Sequence, residues 1–224
     1  YDHLATVQSL ITPGSQNGEV TSERLPKLRY VSLMGIPPAD LLEQEGWRPA
    51  QLREVIATGS AVSDEALAQR QAAVSPSDPA TLIYTSGTTG FPKGALLSHH
   101  GLLSNAVLTA ERLAPYVQSE GLARNKVRTC NTFPFFHVAG IVTGVLMPLY
   151  EGGTFHSLLA FDPLKVIQVM SHEGCHVYIG VTTMILALLS HPDLATYDLS
   201  SLKVVLTGGA PVPLIMVEQV KARV

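Results

Sequence analysis

Apolar positions in this chain follow two alternating rhythms. Short apolar runs bounded by glycine, proline or asparagine read as strands, and longer stretches with apolar residues three and four apart read as helices. Strand-like runs fall at 80–85 (ATLIYT), 94–99 (GALLSH), 126–133 (KVRTCNTF), 152–158 (GGTFHSL), 175–180 (CHVYIG) and 202–209 (LKVVLTGG). Helical patterns fall between and after them, at 104–116, 138–150, 162–173, 182–191 and from near Pro213 onward. Strands alternating with helices of this length predict crossover connections and a mostly parallel sheet flanked by helices, an α/β fold. Residues 1–80 form a different, lead-in segment. Its stretch 12–26 is crowded with turn formers and reads as a surface loop. A short strand at 28–35 follows, then a helix at 49–59 stopped by Gly59 and another at 63–74 capped by Ser63.

Composition sharpens this picture in two ways. Charged residues make up 15% of the 224, against about 25% in ordinary soluble proteins. That fits a sheet covered on both faces by helices, and equally a piece cut from a larger protein. The formal net charge of −3 argues against general nucleic-acid binding. No window reaches the ~18 unbroken apolar residues of a membrane span, since the best run, 141–150, is short and contains Pro148. The first ten residues lack a signal-like core. Cys130 and Cys175 lie far apart without metal or redox spacing, as expected of reduced thiols in a cytoplasmic protein.

The densest chemistry lies at 84–94, YTSGTTGFPKG. Four hydroxyls (Thr85, Ser86, Thr88, Thr89), two glycines (Gly87, Gly90) and Lys93 crowd into nine residues between two apolar strands. Glycine backbone can turn its N–H groups toward an oxyanion, and the hydroxyls and ammonium add donors and charge. The nucleotide-hydrolase loop needs Ser or Thr after its lysine and a helix next. Here Gly94 follows Lys93 and a strand comes next, so that version is excluded.

The loop closely resembles the signature loop of the adenylate-forming enzymes: acyl-CoA synthetases, aryl-CoA ligases, luciferases and peptide-synthetase adenylation domains. Two further segments agree in order and spacing: FPFFHVAG at 133–140 resembles the family's acid-site segment, and LTGGAP at 206–211 its adenine segment. The resemblance implies the large N-terminal domain of such an enzyme, with residues 81–224 forming its nucleotide- and acid-binding region. It implies that Thr85–Lys93 hold the β- and γ-phosphates of ATP, with Thr85 near Mg²⁺. It seats adenine on Gly208, Gly209, Ala210 and Pro211. His137 becomes the candidate catalytic residue, lining the carboxylate pocket. The implied reaction joins ATP, a carboxylic acid and CoA through an acyl-adenylate. The family's magnesium glutamate, ribose aspartate and mobile C-terminal domain with its catalytic lysine have no counterpart here, so the chain is expected to be an internal piece that is inactive alone. Lys93 is not that catalytic lysine.

Residue by residue, the same segments carry their own logic. In LKVVLTGGAPVP a buried strand ends in two glycines, at the end of a parallel strand where ligands bind, and side-chain-free backbone can lie against a planar base. Amino-acid-activating relatives have Phe-Asp where this chain has Phe136–His137. Without that aspartate a substrate ammonium would be buried unpaired, which favours a fatty acid or, alternatively, an aryl acid of the coumarate or benzoate kind. A nucleotide-binding fragment without catalysis is the remaining class. Gly140 and Gly144, four apart on one helical face, either leave room for an acyl tail or allow close packing. HEGCH at 172–176 imitates a zinc-protease motif, but Gly174 breaks the helix that would align its histidines.

Overall fold

The computed structural model describes residues 6–7, 9–14, 18–33, 50–86, 90–119 and 121–223. They fall into two compact units, residues 1–74 and 75–224.

In the first unit, part of the stretch expected to be a surface loop pairs instead. β1 (Thr12–Pro13) and β2 (Val20–Thr21) run antiparallel, and Val20 is fully buried. The turn closes through the Gly14 N–H, which donates to the Glu19 carbonyl at 2.8 Å. Turn formers here mark a hairpin and not an open loop. The expected strand at 28–35 shortens to β3 (Ser32–Leu33), parallel to β4 (Ala50–Gln51). Residues 34–35, and the first residue of the expected 49–59 helix, lie outside the described residues. α1 (Leu52–Thr58) and α2 (Asp64–Ala72) follow. Ser63 caps α2, its Oγ accepting the Ala66 N–H at 3.2 Å.

The second unit opens with β5 (Pro79–Thr85) and β6 (Lys93–Ser98), an antiparallel hairpin forming its own two-stranded sheet. α3 (His99–Gln118) starts at once, five residues before the apolar pattern implied, because the Ser98 hydroxyl accepts the Gly101 N–H at 3.1 Å and caps the helix there. β7 (Arg128–Asn131) then leads into α4, built of three consecutive stretches, Val138–Ile141, Val142–Leu146 and Met147–Glu151. The middle stretch is a π-turn. Pro148 has no N–H for the Gly144 carbonyl one turn back, and its ring would crowd that carbonyl; the wider turn accommodates it. β8 (Thr154–Ser157), α5 (Pro163–His172), β9 (Val177–Ile179), α6 (Thr182–Leu189), β10 (Val204–Leu206) and α7 (Leu214–Lys221) complete the alternation.

The four-stranded sheet has the order β10-β9-β7-β8 and is parallel throughout. Successive side chains on β9 point to opposite faces, and each face has its own core. Cys130 and Tyr178 join Val166, Ile167 and Met170 of α5, with Ile185 and Leu188 of α6, on one side. Val177 and Ile179 join Leu102, Ala106 and Ala110 of α3, with Val142 and Met147 of α4, on the other. The sheet is thus covered by helices on both faces. Glu111 ties α3 to α4: its carboxylate accepts both terminal nitrogens of Arg124 at 2.6 and 2.7 Å and the Tyr150 hydroxyl at 3.0 Å. Those hydrogen bonds hold its carboxyl down at about 2. No helix among the described residues is long and apolar enough to cross a membrane.

Candidate functional site

In a parallel sheet every strand delivers its carboxyl end to one edge, and ligands bind in the crevice there. β7, β9 and β10 do this here. Just beyond them lies a cavity of about 460 Å³. The segment after β7 contributes Phe133 and His137, and the first turns of α4 contribute Ala139 and Thr143. Gly180 and Val181 come from the end of β9, and Thr207, Gly208 and Gly209 from the end of β10.

His137 is held from both sides. Its backbone N–H donates to the Pro134 carbonyl at 3.0 Å, and its ring stacks on Phe133 with centroids 6.0 Å apart. As the N-cap of α4, its Nδ1 accepts the Ala139 N–H at 3.1 Å. With Nδ1 occupied as an acceptor, the neutral ring carries its proton on Nε2, which is then a donor. Beneath it, Asn131 organises the turn. This fully buried side chain accepts the Phe133 N–H at 3.2 Å and donates to the Phe133 carbonyl at 3.0 Å. Sequence reasoning passed over Asn131; the signal available was an asparagine closing an otherwise buried strand.

Under the cavity the Tyr178 phenol is buried, which pushes its pKa up to about 12. Its hydroxyl lies 3.4 Å from the Thr132 hydroxyl, and a Cβ on Gly180 would meet the Tyr178 oxygen at 2.6 Å. Gly180 is therefore a glycine for close packing. Gly208 differs: a Cβ there would meet nothing within 4 Å. Gly209 also faces open space but has φ of +82°, which favours glycine by itself. The Thr207 hydroxyl, next to this pair, is shielded from solvent and has no hydrogen-bond partner.

Gly140 and Gly144 resolve toward packing. A Cβ on Gly140 would run into the Pro134 carbonyl group, 2.8 Å from its carbon, and one on Gly144 would stand 2.5 Å from Cγ of Asn131. Neither opens a space for a ligand. Their neighbours Ala139 and Thr143 line the cavity instead.

Thus His137, Gly208 and Gly209 come together in one cavity, while Ala210 and Pro211 continue the chain just past its lining. Thr85 and Lys93 are opposite one another at the loop end of the β5–β6 hairpin, with the Thr85 hydroxyl 3.5 Å from the Lys93 carbonyl. Thr85, Ser86, Gly90 and Lys93 are all exposed; Gly87, Thr88 and Thr89 lie outside the described residues. The zinc-like motif separates as its glycine implied. His172 closes α5 and packs edge-on against Tyr197, whereas His176 leads into β9 and its Nδ1 accepts the Arg128 N–H at 3.0 Å.

The AMP-binding enzyme pattern matches residues 7–224. The chain belongs to the AMP-binding enzymes. Among relatives of this family, it is 34% identical over 204 residues to the mitochondrial medium-chain acyl-CoA ligase ACSF2 of Macaca fascicularis, covering 89% of this chain and 31% of that enzyme. In structure it is similar to the AMP complex of O-succinylbenzoate coenzyme A synthetase (MenE) from Bacillus subtilis, with 27% identity and a TM-score of 0.53 over 67% of this chain and 29% of that one. The anthranilate CoA ligase AuaEII, in complex with anthranoyl-AMP, shares the fold over 89% of this chain and 35% of its own, with a TM-score of 0.66 at 23% identity. The chain thus spans about a third of the curated relatives it matches.

Proposed function

We propose that the protein carrying this chain is an AMP-forming acid:CoA ligase. ATP activates a carboxylic acid, a fatty acid by preference, to an acyl-adenylate with release of pyrophosphate. CoA thiol then attacks the acyl carbon, forming the thioester and releasing AMP. The observation that carries this reading is the shared cavity of His137 and the Gly208–Gly209 backbone. Among the described residues nothing crowds Gly208, so a planar adenine can lie against it, followed by Ala210 and Pro211.

The chain's work is positioning and charge stabilisation. The Nε2–H of His137 donates to the acid's carboxylate, setting it toward the α-phosphorus. The hydroxyls of Thr85, Ser86, Thr88 and Thr89, the backbone of Gly87 and Gly90, and the ammonium of Lys93 hold the leaving pyrophosphate as charge builds on it. Thr85 offers one exposed hydroxyl for Mg²⁺. That donor set fits an ion that keeps several waters and takes phosphate oxygens as ligands. When bound, the ion neutralises phosphate charge. A reducing compartment such as the cytoplasm suits Cys130 and Cys175, both buried free thiols.

The test is acid-dependent exchange of labelled pyrophosphate into ATP by the full-length protein, across fatty, aryl and amino acids. Exchange stimulated most by fatty acids is expected. Fastest exchange with a free α-amino acid would overturn the substrate reading, and no exchange with any acid would overturn the ligase reading itself.

A further inference from the structure

The amino edge of the parallel sheet carries a polar cavity of its own, of about 290 Å³. His176, Ser200, Ser201 and Lys203 line it, with Val117 and Leu122 as an apolar wall. His176 leads into β9 and Lys203 into β10, at the opposite ends of these strands from Gly180 and Thr207. His176 is the decisive group. It is only 9% exposed, and its Nδ1 accepts the Arg128 N–H at 3.0 Å. The neutral ring therefore carries its proton on Nε2. That N–H has no partner among the described residues, and a donor so deeply buried calls for an acceptor.

The charge around it is positive. Burial, and then the charges of Arg128 and Lys203, hold the His176 ring below the usual imidazole value, so both cations act on it. Arg128 is fixed by its Nε, which donates to the Gly174 carbonyl at 3.1 Å. A Cβ on Gly174 would meet a terminal nitrogen of Arg128 at 3.0 Å and the Ser201 hydroxyl at 3.5 Å, so guanidinium and hydroxyl stand over one glycine. The neighbouring carboxylates are turned elsewhere. Asp198 accepts the Ser200 N–H at 2.9 Å, and Glu173 lies 4.0 Å from Nδ1 of His156. Neither lines the cavity.

We propose that this cavity binds a small phosphate monoester. Its phosphate takes the Nε2–H of His176, the Ser201 hydroxyl and the Lys203 ammonium, with Arg128 adding charge from the side. Its organic part lies against Val117 and Leu122, in space that a phosphate ion alone would not fill. A dianion suits donors and cations converging from β9, β10 and the turn between Leu199 and Lys203. A cationic ligand would meet like charge, and a purely apolar one would leave the His176 donor unanswered. The site uses none of the residues assigned to ATP or the acid, so it stands apart from the ligase reading.

The test is calorimetric titration of phenyl phosphate and inorganic phosphate into the full-length protein. Lys93→Ala serves as the background, because it weakens the other loop expected to take phosphate. To it are added, one at a time, Lys203→Met, Ser201→Ala and His176→Asn. Asparagine offers an oxygen to the Arg128 N–H and removes the Nε2 donor. Phenyl phosphate is expected to bind the Lys93→Ala protein several-fold tighter than inorganic phosphate does, and each added change should weaken it about tenfold. No binding to Lys93→Ala would confine phosphate to the hairpin loop and overturn the site. Weakening by Lys203→Met alone, with Ser201→Ala and His176→Asn unchanged, would reduce it to a surface charge and overturn it as well. Inorganic phosphate binding as tightly as phenyl phosphate would overturn the monoester. Ser201 is half-buried in a turn, so Ser201→Ala keeps the test decisive should His176→Asn fail to fold.

Discussion

Replacing Gly144 by alanine should destabilise the protein although it sits in a helix, where alanine is normally the better residue. The added methyl would stand 2.5 Å from Cγ of Asn131, about an ångström inside ordinary contact. Asn131 cannot swing aside cheaply, because it is fully buried and its amide holds both backbone groups of Phe133. Turning it away would leave buried polar groups unpaired, at about 1–3 kcal/mol. Lifting α4 off the sheet instead is overpacking, also about 1–3 kcal/mol. The helical gain of alanine over glycine offsets about 1 kcal/mol. A net loss of roughly 1 kcal/mol remains, or about 2–4 °C in Tm for a chain of this size. Urea titration of the variant beside Gly101→Ala is the assay. Gly101 lies in the exposed first turn of α3 with its Cβ space open, so that change should be neutral or stabilise by up to about 1 kcal/mol. The two substitutions should therefore differ in sign. If Gly144→Ala stabilised as Gly101→Ala does, the contact with Asn131 would not be the reason for the glycine.

In the full-length protein, Lys93→Ala should slow single-turnover adenylation by about a hundredfold and barely affect thioester formation from preformed acyl-adenylate, because pyrophosphate has then left; equal loss in both steps would refute the assignment. His176 is held below the usual imidazole value by burial and then by the charges of Arg128 and Lys203, so the unfolded chain takes up a proton near pH 6.5 that the folded chain refuses. Its contribution to stability is full above that pH and declines as pH falls toward the folded pKa; Tm measured between pH 7.5 and 5.5 should fall less in His176→Gln than in wild type, and parallel slopes would refute this. Contact with Cys175 and burial push the Cys130 thiol well above its ordinary value, so it should resist a thiol-specific reagent until the protein unfolds; rapid labelling of native protein would show that this core opens.

The alternation of strands and helices from Pro79 onward was legible because each strand is a compact run of apolar and β-branched residues bounded by turn formers, and the central strands β7 and β9 are buried almost throughout. Helix starts were legible where a cap stood before them, as at Ser63 and Asp162, whose side chain accepts the Lys165 N–H at 3.0 Å. The start of α3 was not. GALLSH continues a strand pattern up to its last residue, and only the Ser98–Gly101 hydrogen bond shows that the chain has already turned. The π-turn in α4 was equally hidden, since Pro148 alone does not say whether a helix will break, kink or widen. The lead-in segment misled for another reason: turn formers can connect a short antiparallel pair, as between β1 and β2, as readily as they line an open loop.

Glycines show most clearly where sequence reading stops and where function begins. Gly140, Gly144 and Gly180 each stand where a methyl group would strike named atoms of the protein's own fold: the Pro134 carbonyl, the Asn131 amide and the Tyr178 hydroxyl. Their identity is demanded from inside. The sequence shows a glycine at each of these positions, and equally at Gly208, without telling the two kinds apart. At Gly208 the demand from inside is missing, because among the described residues no atom lies within 4 Å of a Cβ. Beside it the Thr207 hydroxyl is shut off from water with no partner among the described residues, as are the Thr129 and Thr182 hydroxyls and Nε2 of His156, but of these four only Thr207 lines the cavity. An unfilled approach next to an unanswered hydroxyl, at the carboxyl end of a parallel strand, is where a bound molecule would supply what the protein leaves out. That makes the end of β10, more than any single polar side chain, the physical basis for reading this cavity as a nucleotide site.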